Sequence, residues 1–71
     1  MTNADHLRIH RLPRQLEAVR LRLVHLQTKP RHQRTSVWLR SREAAEAKHK
    51  RLTARAAEYG LHDLAALELP A

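Results

Sequence analysis

The sequence predicts a small helix-rich domain, mainly α with one or two short strands near residues 6–11 and 35–40. Three observations lead there. Leu12, Leu16, Val19, Leu23 and Leu26 recur at spacings of 4, 3, 4 and 3, which is the seam of an amphipathic helix. An alanine-rich run over 42–59 opens behind a capping serine and stops at the only glycine. Two short stretches, 6–12 and 35–40, alternate apolar and polar residues as strands do. The alternative architecture is α+β, with a β-hairpin or three-stranded sheet packed on one long helix at 42–59.

Each element has its own warrant. Leu7 and Ile9 alternate within His-Leu-Arg-Ile-His-Arg-Leu, the first strand candidate. Pro13 suits the first turn of a helix, where a missing N–H costs nothing. The following stretch also reads as a strand through Val19, Leu21 and Leu23. That alternation breaks at Val24, and Leu, Arg, Gln, Glu and Ala favour a helix, so helix leads and strand stays open. Thr28 to Arg34 is polar and contains Pro30, which ends the element. Thr35-Ser36-Val37-Trp38-Leu39-Arg40 reads as a strand with Val37 and Leu39 on one face. Ser41 then caps a helix whose first turn holds Glu43, where negative charge meets the helix dipole. Gly60 supplies the left-handed stop, and a short helix carrying Leu64 and Leu67 follows.

At 71 residues the chain is one domain, 1–71, with too little apolar material to enclose a catalytic cavity. An enzyme is not expected. No cysteine is present, so there is neither a disulfide framework nor a thiolate metal site. His6 and His10 have ligand-like spacing but no third partner, so no metal and no cofactor is expected. No apolar run suits a membrane span and no signal peptide is evident, which makes a cytoplasmic binding protein the expectation.

The net charge of +7 is unevenly placed. Residues 6–42 hold ten cations against Glu17 alone, whereas 43–69 is near neutral. Eleven of the 14 cations are arginine, whose planar fork suits phosphate. A nucleic acid is therefore the expected partner, duplex DNA ahead of structured RNA. The candidate contacts are Arg14, Arg20, Arg22, Lys29, Arg31, Arg34, Arg40 and Arg42. Trp38 and Tyr59, the only aromatics, are expected in the core, which disfavours single-strand recognition by stacking.

Thr35-Ser36-Val37-Trp38-Leu39-Arg40-Ser41-Arg42-Glu43, followed by Leu52-Thr53-Ala54-Arg55-Ala56-Ala57-Glu58-Tyr59-Gly60-Leu61, resembles the ribbon-helix-helix DNA-binding proteins, especially the accessory proteins of plasmid mobilisation. The resemblance covers residues 34–69. It implies a dimer whose paired strands enter the major groove, with Ser36, Trp38 and Arg40 facing DNA, Val37 and Leu39 packed on the helices, and Gly60 between helices. If Val19 to Leu26 is a strand, the order is instead similar to the three-stranded DNA-binding domains of phage and transposon integrases.

These readings converge on a small basic DNA-binding protein in a regulatory or accessory role, such as transcription regulation or the service of a mobile element. A homodimer is expected, because the Leu12–Leu26 seam needs a cover. The competing class is a small, phage-type protein that modulates a large machine such as RNA polymerase, a ribosome or a nuclease, docking through Leu12, Leu16, Val19, Leu23 and Leu26. On the DNA reading, replacing Arg20, Arg22, Arg31 and Arg34 together abolishes binding, while charge reversal at Lys48 and Lys50 does little.

Overall fold

The Leu12–Leu26 seam lies on a helix longer than its periodicity announces. A computed structural model of the protein describes the backbone of residues 3–70 and the side chains of residue 7 and residues 9–70. In it α1 runs Asn3–Gln27, α2 runs Ser36–Glu58 and α3 runs His62–Ala65, with a 3₁₀ turn at Arg31–Gln33 between the first two. There is no strand among the described residues.

Both expected strands are thus corrected to helix. Residues 6–11 belong to α1, and Pro13 stands inside that helix instead of opening it. Two alternating apolar residues were too little to outweigh helical continuation, even though proline offers the Ile9 carbonyl no N–H. Residues 36–40 form the first turns of α2, whose cap is Thr35 and not Ser41. The Thr35 hydroxyl accepts from the Trp38 amide at 3.4 Å. With no strand there to pair, neither the ribbon of the ribbon-helix-helix resemblance nor the three-stranded sheet of the alternative has a counterpart among the described residues. The strand reading of Val19–Leu26 falls in the same way, since these residues lie within α1.

The turn between α1 and α2 is closed by side chains. A helix ends with four carbonyls lacking intrahelical partners. Here the Thr28 amide reaches the Val24 carbonyl at 3.2 Å and its hydroxyl donates to the His25 carbonyl at 2.6 Å. The Trp38 indole N–H donates to the Leu26 carbonyl at 2.7 Å, and Arg34 Nη2 donates to the Gln27 carbonyl at 3.1 Å. Two of these four donors come from beyond Pro30, so the start of α2 caps the end of α1. Trp38 is accordingly half-buried at this corner and not in the central core.

At the other end Gly60 behaves as its sequence context predicts. Its φ is +73°, the Leu61 amide bonds to the Ala56 carbonyl at 2.8 Å, and the Gly60 amide bonds to the Ala57 carbonyl at 3.1 Å. This is a Schellman cap, with Leu61 packed on the core that contains Ala56. A Cβ at Gly60 would meet nothing within 4 Å, so the left-handed backbone alone explains the glycine.

α1 and α2 pack as an antiparallel hairpin. Leu12, Leu16, Val19 and Leu23 are buried against Ala45, Leu52 and Ala56, large residues on one helix meeting mostly small ones on the other. Tyr59, Leu61, Leu64, Ala65 and Leu67 close over that core. The seam expected to need a second copy or a protein partner is covered by the chain's own α2, α3 and tail: Leu12 and Leu16 are each 1% exposed. The expected final helix is one turn long, and Leu67 lies beyond it in an irregular tail, residues 66–70. The molecule measures 48 × 20 × 14 Å, a slab of two helices and a strap. No helix among the described residues is long and apolar enough to cross a membrane.

Candidate nucleic-acid interface

Folding sorts the charges by face. On one face of the hairpin a cleft of about 680 Å³ is lined by Ala18, Val19 and Arg22 of α1 and by Arg40, Ser41, Ala44, Ala45 and Lys48 of α2. A second cleft, of about 260 Å³, continues it past Lys48 and is lined by Gln15, Lys48, Arg51, Leu52 and Arg55. Arg22, Arg40, Lys48, Arg51 and Arg55 thus border two clefts that share Lys48 and whose described linings contain no Asp or Glu. The helical repeat explains the row, because positions 40, 44, 48, 51 and 55 of α2 follow one another at spacings of three or four. Ala18, Ala44 and Ala45 share the lining with these cations.

The opposite face carries acid. Two clefts lie there beside the tail. One, of about 400 Å³, includes Glu17 and Arg20 in its lining, and the other, of about 440 Å³, includes Glu43, Glu46, His49 and Lys50. Arg20 projects to this side. Its Nη1 lies 3.1 Å from His49 Nε2 and also donates to the Glu68 carbonyl. His49 is 3% exposed, and its pKa is lowered from the ordinary 6.5 by burial first and by the Arg20 charge second. A guanidinium only donates, so Nε2 accepts and the ring is neutral with its proton on Nδ1.

The seven arginines and one lysine proposed from sequence therefore separate into groups. Arg22 and Arg40 stand in the groove. Lys29 and Arg31 belong to the hairpin turn, where Arg31 is exposed and Lys29 half-buried. Arg34 and Arg42 flank Trp38, their guanidinium carbons 5.0 and 5.3 Å from the ring centroid. Arg34 also donates to the Lys29 and Gln27 carbonyls, and Arg42 Nε lies 3.2 Å from Glu46 Oε1. These two arginines shape the corner. Arg14 is exposed on α1, and Arg20 is committed to the acidic face.

Sequence reasoning missed Lys48, Arg51 and Arg55, which it left in a neutral scaffold. Their signal was present as helical spacing on α2, but it was diluted by Glu43, Glu46 and Glu58 when charge was counted along the chain. Lys48 and Lys50, treated as equivalent from sequence, lie on opposite faces. Among the described residues no group of three metal-ligating side chains comes together, and the side chain of His6 from the His6/His10 pair lies outside the described residues. No protein-family model, curated protein or solved structure matches this chain.

Proposed function

We propose that the protein binds nucleic acid, duplex DNA in the first place, through the groove between α1 and α2, and serves in a regulatory or accessory role. One observation carries the reading: five cations border two clefts that share Lys48 and have no carboxylate in their linings. Solubility alone does not require segregation by face, whereas a polyanion rewards it. From Arg40 to Arg55 the row spans fifteen residues, about 22 Å at a rise of ~1.5 Å per residue. That length matches roughly six base-pair steps of ~3.4 Å along a duplex.

The lining also indicates how the contact works. Its long side chains are cations suited to phosphate, and Gln15 is its only amide, so the groove holds the backbone and reads few base edges. Binding should be strongly salt-dependent and weakly sequence-dependent. Filter binding to a short duplex across a salt series tests this directly. With four or five phosphates neutralised, log K falls against log salt with a slope near −4, from about 0.9 per contact. No retention on the filter at low salt defeats the proposal.

The second reading, a small protein that modulates a large machine, draws on the opposite face. There Leu21 is 63% and Val24 46% exposed beside the cleft containing Pro13, Leu64 and Pro70. Such a partner would meet this strip and not the Leu12–Leu26 seam. Affinity purification with and without nuclease separates the readings, because a protein partner survives digestion of any nucleic-acid bridge. A homodimer would likewise need a face other than the seam, and sedimentation with and without duplex DNA reports it.

A further inference from the structure

The last residues of the chain are held by side chains and not by secondary structure. After α3 the tail turns back along the hairpin, and Leu67 lines both clefts of the acidic face. Two side chains of α1 grip its backbone: Arg20 donates to the Glu68 carbonyl, and Gln27 Nε2 donates to the Pro70 carbonyl at 2.7 Å. The first grip depends on a third residue. Arg20 Nη1 carries two hydrogens, and the geometry offers one to Glu68 and one to His49 Nε2 at 3.1 Å.

Neutral His49 thus orients the guanidinium toward the tail. A proton on Nε2 removes the acceptor and sets an imidazolium against an arginine inside a closed side of the hairpin. The charged and titratable neighbours on that side are Glu17 and Arg20 from α1, Glu43, Glu46 and Lys50 from α2, and Glu68 from the tail, while α3 lends only Leu64 to the same clefts. Glu46 is paired with Arg42 and Glu17 is exposed, so no carboxylate occupies the Arg20–His49 contact itself.

We infer that residues 66–70 form an acid-released strap, latched at neutral pH by the chain His49 Nε2, Arg20 guanidinium and Glu68 carbonyl. Protonation of His49 turns Arg20 away, frees Glu68 and lifts Leu67 from between the helices. The α1/α2 hairpin beneath remains folded, because Leu12, Leu16, Val19, Leu23, Leu52 and Ala56 make its core without the strap. Release adds the surface beneath Leu67 to the apolar strip already exposed at Leu21 and Val24.

The test is a pH series on the full chain followed by NMR. As the pH is lowered through the titration of His49, contacts of the Leu67 methyls with the buried core should vanish and the Gln27 side-chain amide should shift. Over the same range the nuclear Overhauser contacts within the Leu12–Leu23 seam should persist. His49→Gln keeps an acceptor for Arg20 but cannot titrate, so its strap should stay closed at pH 5. If that variant is poorly folded, the ring nitrogens of His49 in the wild type provide the same comparison, since Nε2 must gain its proton in step with loss of the Leu67 contacts. Persistence of those contacts after His49 has titrated, acid release unchanged in His49→Gln, or simultaneous loss of the seam contacts each overturns the inference.

Discussion

The two broad faces of this hairpin share one core and carry opposite chemistry. On one face Arg22, Arg40, Lys48, Arg51 and Arg55 border clefts whose linings contain no carboxylate. On the other, Arg20 and Lys50 are mixed with Glu17, Glu43 and Glu46 and partly covered by the tail. The difference teaches that a cation's value to a binding surface depends on which neighbours the fold leaves beside it. Arg20 and Arg22 are two positions apart in sequence, yet one latches the tail and the other borders an open groove.

That contrast can be broken most completely from below. Leu16→Ala removes a fully buried side chain common to both faces, and should destabilise the protein by about 2–5 kcal/mol. For a chain of this size that approaches total stability, so denaturant titration should show most of the cooperative transition lost. Both faces should fail together.

Charge reversal separates them. Arg22→Glu, Arg40→Glu, Lys48→Glu and Arg51→Glu combined should abolish retention of duplex DNA. Neutralising the same four residues as Gln should flatten the log–log salt slope by about 0.9 each, roughly 3.6 in all. Circular dichroism should show the helices intact, since all four side chains border a surface groove. Equal loss of binding from Lys50→Glu would show that face does not matter.

The corner joining the faces should respond more mildly. Trp38→Phe keeps a ring between Arg34 and Arg42 but withdraws the donor from the Leu26 carbonyl, which retains only the Lys29 amide at 3.3 Å. A loss of about 1 kcal/mol is expected in urea unfolding. DNA binding should be preserved at temperatures where the variant is folded.

pH gives the smallest and most selective change. His49 has a lowered folded pKa, so below its unfolded value of 6.5 the unfolded chain takes up the proton more readily. Its contribution to stability is therefore present above pH 6.5 and declines as pH falls toward the folded pKa. Thermal melts of wild type should drop over that window, and His49→Gln should remove that portion of the slope. At fixed neutral pH, Lys50→Glu should shift stability by no more than about 0.5 kcal/mol.

Much of this architecture is legible in the residues themselves. The seam from Leu12 to Leu26 is buried as its spacing foretells, and Gly60 adopts the left-handed stop that the alanine-rich run calls for. Val37, Trp38 and Leu39 misled because a short apolar run with one β-branched and one aromatic residue satisfies a strand and a helix equally well. What resolves them is a partner twelve positions away, the Leu26 carbonyl that takes the indole N–H. The groove was half legible: Arg22 and Arg40 were singled out, while Lys48, Arg51 and Arg55 were hidden by counting charge along the chain.

By itself the sequence determined which side chains must leave water, where the long helix stops and that arginine dominates a net charge of +7. Those are matters of composition and of neighbours within four positions, which is the reach of a helical turn. Only the tertiary structure decided what covers the seam, which cations share a face and how the tail is held. The antiparallel return of α2 brings Arg20 to His49 across 29 positions, and the strap brings it to Glu68 across 48. No local rule spans such distances, because they arise from two helices burying one apolar seam between them.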